Sequence, residues 1–260
     1  MGRRESGGVV CVAVFAAEQR HTVTQGLTMG ASKRPQMKTF DDDWPDQVWS
    51  AIEARNNGRG ASCALAVATL AVTGCRPSAL EKGVTFSIVK RDGKNCIEAV
   101  IQGVKLTENR GQPSHIFRWS SQSDTHRERE LVALTEAIAR SPGRTLTIRY
   151  DAEGISTKLR ELSQIIWPRR KNKITGYCYR ELLSATAKAA GAPPEEIALA
   201  LGHRSAESQG SYARAGRIKR GGTKPWGMVA GSVPVKMERA PMARFKAASA
   251  LKKAKLRRAI

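Results

Sequence analysis

The sequence predicts an α+β fold, mainly α-helical, with a small three-stranded antiparallel sheet. Three observations carry this. Residues 61–73 (ASCALAVATLAVT) are apolar nearly all round, the pattern of a helix buried at the centre of a domain. Val84–Val89, Cys96–Ile101 and Ser114–Trp119 are short runs rich in β-branched and aromatic residues. The turn formers Arg91-Asp92-Gly93-Lys94 and Glu108-Asn109-Arg110-Gly111 separate them. The other periodic stretches repeat at helical spacing, and Gly and Pro divide them.

In chain order, residues 1–40 are rich in Gly, Ser, Thr and Gln without sustained periodicity, and read as a poorly ordered leader. Val9–Ala17 after Arg3 and Arg4 has two readings: the apolar region of a signal peptide, or part of a leader preceding a true start at Met29 or Met37. Asp41–Asp43 with Trp44-Pro45-Asp46 mark a helix entry, since acids favour the positive N-terminal end of a helix. A metal site at the acid triplet is the more demanding alternative. Val48, Trp49 and Ile52 form the stripe of that helix, and Gly58-Arg59-Gly60 breaks it from the central one.

Gly74 ends the central helix and Pro77 begins another, leaving Arg76 at the junction. There it either caps a helix terminus at the surface or faces a pocket. Lys105 falls by the second hairpin, where a lone lysine is ordinarily solvated. Thr125 caps a helix over Arg127–Arg140 with Leu131, Leu134 and Ile138 on one face; Ser141-Pro142-Gly143 ends it. Thr145–Tyr150 is an ambiguous short strand. Ser156 opens a helix through Trp167, stopped by Pro168, and a basic loop follows: Arg169, Arg170, Lys171, Asn172, Lys173.

Thr175 or Gly176 starts the next helix, whose inward stripe is Tyr179, Leu182, Leu183 and Thr186, and Gly191 stops it. Tyr177 and Arg180, three apart, share one face. Pro193-Pro194-Glu195-Glu196 starts another helix that Gly202 ends, with His203 at its exit. Ser205 caps a last short helix reaching Tyr212. Taken singly, a histidine or a tyrosine at a helix end is most simply structural.

Composition narrows the function. The chain of 260 residues carries a formal net charge of +21, which points to a polyanionic partner, most simply nucleic acid. Residues 214–260 hold fourteen Lys or Arg and one acid, Glu238. The five cysteines form no C-x-x-C pair, so neither a zinc site nor a disulfide framework is indicated, and a reducing, cytoplasmic setting fits. No apolar run is long enough to span a membrane. The Walker, Gly-x-Gly-x-x-Gly, His-Glu-x-x-His and Gly-x-Ser-x-Gly patterns are all missing.

Four pieces recur in one order: Thr73-Gly74-Cys75-Arg76-Pro77-Ser78, then Gly103-Val104-Lys105, then Tyr177-x-x-Arg180, then Leu201-Gly202-His203 with Tyr212 nine positions on. In that combination, over roughly residues 41–220, the chain resembles the tyrosine recombinase (phage integrase) family. The resemblance implies a catalytic domain at 41–220 followed by a basic tail at 221–260. It implies a site-specific recombinase or integrase of a mobile genetic element that cuts and rejoins double-stranded DNA without metal or ATP. Tyr212 would be the nucleophile. Arg76 and Arg180 would hold the phosphate oxygens, His203 would hydrogen-bond them, and Lys105 would protonate the leaving 5′-oxygen. It further implies a homotetramer on DNA, with the last helix docking on a neighbour.

The sequence departs from the family at three places. Tyr177 stands where histidine or lysine is usual, and a phenol is a poorer base near neutral pH than imidazole. Ala79 stands where an acid commonly supports the first arginine, so Glu81 or another acid would have to substitute. The forty low-order residues ahead of position 41 show no counterpart of the family's clamping domain, as expected of a truncated or catalytic-domain-only member, which would leave DNA grip to Arg169, Arg170, Lys171, Lys173 and the tail, or to an accessory DNA-binding protein. A degenerate, non-catalytic DNA-binding relative is the alternative these departures raise.

Overall fold

The computed structural model describes residues 40–55, 61–107, 111–120, 127–212 and 224–237. The chain divides into two units, Met1–Ser32 and Lys33–Ile260. The first lies wholly outside the described residues, as do Thr125 and the tail beyond Met237.

Helix α1 (Trp44–Glu53) buries Trp44, Pro45, Val48, Trp49 and Ile52 on one side. Asp43 stands at its N-cap and Asp46 in its first turn, the acid placement the helix dipole favours. Helix α2 (Ala61–Thr73) is buried over Ala64 and Ala66–Thr73. An element apolar on every side needs neighbours on every side, and α2 packs against α1, α4 (Glu128–Arg140) and α6 (Gly176–Ala189). Its two buried hydroxyls are satisfied within the helix: Thr69 Oγ1 donates to the Leu65 carbonyl at 2.8 Å and Thr73 Oγ1 to the Thr69 carbonyl at 2.6 Å.

The three expected strands are present as β1 (Val84–Arg91), β2 (Lys94–Gln102) and β3 (Ser114–Ser120). Asp92 and Gly93, with φ of 51° and 74°, turn β1 into β2, so that Arg91 faces Lys94 and Val84 faces Ile101. The sheet nevertheless has five strands, not three, in the order β4-β1-β2-β3-β5. Strand β4 (Thr145–Ile148) pairs antiparallel with β1, and β5 (Met228–Gly231) pairs antiparallel with β3. Strand β4 falls within Thr145–Tyr150, the run read as an ambiguous short strand; both added strands are four residues long, too short for an alternating pattern to fix their place. They join through the free backbone groups of the meander's two edges, which no side-chain pattern announces.

Strand β5 comes from the stretch read as a basic tail, so Met228–Gly231 belongs to the sheet. Trp226, 2 % exposed, explains why: it packs edge-on against Phe117, and its indole N–H donates to Glu196 at 3.2 Å. Trp119 donates to the Pro225 carbonyl at 2.9 Å.

Helix α5 (Ala152–Ile166) starts four residues before the expected Ser156, because the Asp151 carboxylate caps it by accepting from the Gly154 N–H. Helix α3 (Pro77–Lys82) follows Arg76, α7 (Pro194–Ala200) precedes His203, and the last turn before Tyr212 is a 3₁₀ helix, Ala206–Ser211, rather than an α-helix. No described helix is long and apolar enough to cross a membrane.

Candidate active site

Arg76 is extended (φ −72°, ψ 146°), the conformation that a residue before proline favours, and is half-buried beside the start of α6. Thr73 Oγ1 braces the turn by accepting from the Cys75 N–H at 3.2 Å. Lys105 stands in the β2–β3 connection. That connection is tied to α3 by Lys82, whose Nζ donates to the Gly103 carbonyl at 2.8 Å. The Gly103 N–H donates to Pro113 at 2.8 Å, and a Cβ at Gly103 would lie 2.0 Å from the Gln112 carbonyl, so only glycine fits there.

His203 leaves α7 through a tight turn: its N–H donates to the Ala198 carbonyl at 2.7 Å, and the Gly202 N–H to Leu199 at 2.8 Å. Gln112, 1 % exposed, holds this turn from the sheet side. Its side-chain amide donates to the His203 carbonyl at 3.1 Å and to the Val233 carbonyl at 2.8 Å, and accepts from the Val233 N–H at 3.0 Å. Its own backbone N–H donates to the Gly202 carbonyl at 3.0 Å. The stretch around Val233 therefore fastens the histidine turn to β3.

Arg180 sits at the centre, 1 % exposed on α6. Its Nε donates to the Tyr212 hydroxyl at 3.0 Å and one terminal nitrogen to the Gly74 carbonyl at 3.1 Å. The other donates to the Leu201 carbonyl and contacts His203 Nε2 at 3.2 Å. Guanidinium has no acceptor, so His203 Nε2 must accept and its proton resides on Nδ1. The guanidinium lies 5.2 Å from the centre of the Tyr212 ring, which in turn stacks on the His203 ring at 5.5 Å.

These contacts set the protonation states. Burial alone would push the Tyr212 phenol up; the Arg180 charge, the Arg180 hydrogen bond and the Arg76 charge outweigh it and hold Tyr212 below its ordinary value of 10.0. Burial, then Arg180, Arg76 and His115, lower His203 to about 2, so its imidazole is neutral. Burial and the neighbouring Arg180 charge lower Arg76 as well, against the opposing pull of the nearby Tyr212 and Tyr177 phenols. Glu81, the acid best placed in sequence to replace the one missing at Ala79, is exposed. The acid whose charge reaches Tyr212 is instead Glu181, 5 % exposed.

The structure therefore brings Arg76, Arg180, His203 and Tyr212 into direct contact or charge range. Lys105, exposed and without a hydrogen bond to any described residue, lines one small cavity with Arg76 and Arg180. Tyr177 is 39 % exposed at the start of α6, within charge range of Arg76. The basic loop divides. Arg169 and Lys171 are exposed and Lys173 is half-buried. Arg170 turns inward: it pairs with Asp41 at 3.3 Å and lies 5.1 Å from both the Phe40 and Trp167 rings. Among the acids at the helix entry, Asp41 is thus engaged by an arginine.

Two residues of this region escaped sequence reading. Gln112 carries no pattern of its own. His115 does: it begins the alternation His115, Phe117, Trp119 on the buried face of β3, where a polar residue stands out.

No protein-family model matches the chain, and no curated protein matches it. Among solved structures, the crystal structure of XerA recombinase is similar, with a TM-score of 0.44 and 18 % sequence identity over 67 % of this chain. The match spans 59 % of that structure's chain, less than two thirds of its length.

Proposed function

We propose that the chain is a site-specific DNA recombinase or integrase acting through a 3′-phosphotyrosyl intermediate. The observation that carries this is the Tyr212 hydroxyl, held by Arg180 at 3.0 Å and within charge range of Arg76, with its pKa drawn below the ordinary phenol value. A tyrosine in a purely structural role needs one hydrogen-bond partner; one bonded to a guanidinium and facing the charge of a second is drawn toward phenolate.

The chemistry runs as follows. Tyr212 gives up its phenol proton to solvent, and the phenolate Oη attacks the scissile phosphorus, forming a Tyr–O–P bond as the P–O5′ bond breaks. Lys105 gives the leaving 5′-oxygen its proton. Charge builds on the non-bridging oxygens, which Arg76 meets with its guanidinium fork and Arg180 with the one N–H its own bonds leave free. His203, neutral, shares the Arg180 donor and presents Nδ1–H. The 3′-phosphotyrosyl bond keeps the energy of the broken one, so religation by a 5′-hydroxyl needs no nucleotide. Tyr177 takes the place of a second imidazole or ammonium at the rim. Arg169, Lys171, Lys173 and the basic tail grip the DNA backbone, with a tetramer on DNA as the working assembly.

Nicked duplexes built from the DNA flanking the gene test this. The wild-type chain is expected to form a covalent protein–DNA species that Tyr212→Phe abolishes. An adduct that survives Tyr212→Phe would sink the nucleophile assignment. Ala79, buried where an acid would support Arg76, favours one competing reading, a DNA-binding relative without catalysis. That reading predicts intact DNA binding and no adduct on any nicked duplex.

A further inference from the structure

We propose that His115 is a further phosphate-contacting residue of this site, donating one imidazole N–H to a non-bridging oxygen alongside Arg76 and Arg180. The inference rests on the phosphoryl-transfer reading above.

The geometry comes first. His115 is 5 % exposed at the start of β3 and lines the same small cavity as Arg76, Lys105 and Arg180. Neither of its ring nitrogens has a hydrogen-bond partner, although both are buried. An imidazole always carries at least one N–H, and burying it without an acceptor costs free energy that an ordinary core position would avoid with an apolar side chain. The fold nonetheless arranges itself around this ring. Gly202, with φ of +62°, brings the histidine turn so close that a Cβ there would lie 3.0 Å from His115 Cε1.

The cavity has room for the centre of a water-sized sphere over about 10 Å³, the scale of a single oxygen. It cannot swallow a whole ligand, but one oxygen of a phosphate seated at its mouth fits. The neighbouring side chains are two guanidiniums and an ammonium, so an anionic oxygen is the group they select. The charges of Arg180 and Arg76 also reach His115, and with burial they keep it neutral, at about 3. A neutral imidazole offers one N–H donor without adding a third buried cation.

The test uses the full chain, ¹⁵N-labelled at histidine and arginine, titrated with inorganic phosphate. One ring nitrogen of His115 is expected to shift together with Arg180 Nε. A shift at Arg180 with none at His115 overturns the proposal. Silence at both overturns it along with the anion-site reading of the cavity. The second arm is functional. His115→Phe fills the same space without a donor and is expected to melt no lower than wild type, yet to cut nicked DNA roughly 10²-fold more slowly. His115→Asn, which keeps an N–H, is expected to recover at least tenfold of that loss. Wild-type cutting by His115→Phe contradicts the role, even where Tyr212→Phe has confirmed the chemistry. Absence of cutting by the wild type sinks the enzymatic reading, and the phosphate shifts alone then decide whether His115 meets an anion.

Discussion

Arg180 directs its donors inward in four directions: to a phenol, two backbone carbonyls and an imidazole. A fixed planar fork satisfies that set; a lysine ammonium on a flexible stem does not. Arg180→Lys is therefore expected to lower unfolding free energy by about 2–4 kcal/mol, since buried carbonyls lose their partners. It should also slow DNA cutting by at least about 10²-fold. Urea unfolding and adduct yield check the two halves. Arg76→Lys, half-exposed, should slow cutting comparably while costing under about 1 kcal/mol. At this scale the order and spacing of Arg76, Lys105, Arg180, His203 and Tyr212 were readable in the sequence. Their burial was not. Nothing in GYCYRELL says that Arg180 is 1 % exposed while Tyr177 is 39 % exposed, because that depends on which neighbours α6 meets. Arg170 is a similar case: a basic loop reads as solvated, yet one of its arginines is claimed by Phe40, Trp167 and Asp41.

At the scale of elements, the site depends on what holds the turn at His203. Helix α7 delivers it, Gln112 fastens it to β3, and the stretch 224–237 closes over it. That stretch adds β5, a backbone pairing of Ser205 with Lys236, and a hydrogen bond from the Ala206 N–H to the Lys236 carbonyl at 3.0 Å. Trp226 is its anchor. Trp226→Ala removes a side chain packed on Phe117 and should cost about 3–5 kcal/mol, read from the urea midpoint. A loss well under that would mean the stretch is only lightly attached. The central helix and the three-stranded meander were evident from their runs of residues. Strand β4 was visible only as the ambiguous run Thr145–Tyr150, and β5 not at all, because a four-residue strand is recruited by an open edge more than by its own pattern. Helix α5 was begun too late for a related reason: Gly154 hides the first turn, and only the Asp151 cap reveals it.

At the scale of the whole molecule, folding holds two histidines, His115 and His203, neutral inside a positively charged pocket. Their folded pKa values, about 3 and about 2, lie below the unfolded value of 6.5. Above pH 6.5 both are neutral whether folded or not, and they add no pH dependence. Below it the unfolded chain takes up protons that the folded chain refuses, so stability falls as pH drops toward 3. Each histidine contributes about 1.4 kcal/mol per pH unit across that window. Urea midpoints at pH 7, 6 and 5 should show the decline, and His115→Phe should remove one histidine's share of it. An unchanged slope in that variant would contradict the burial of His115.

The central claim, that Tyr212 becomes covalently joined to DNA, is tested most directly by mapping the bond. The trapped complex is digested with nuclease and trypsin, and the peptide SAESQGSYAR (residues 205–214) is weighed and fragmented. A 3′-linked nucleotide on Tyr212 is expected. A nucleotide on Tyr177 or any other residue, or a complex with none attached, would contradict it.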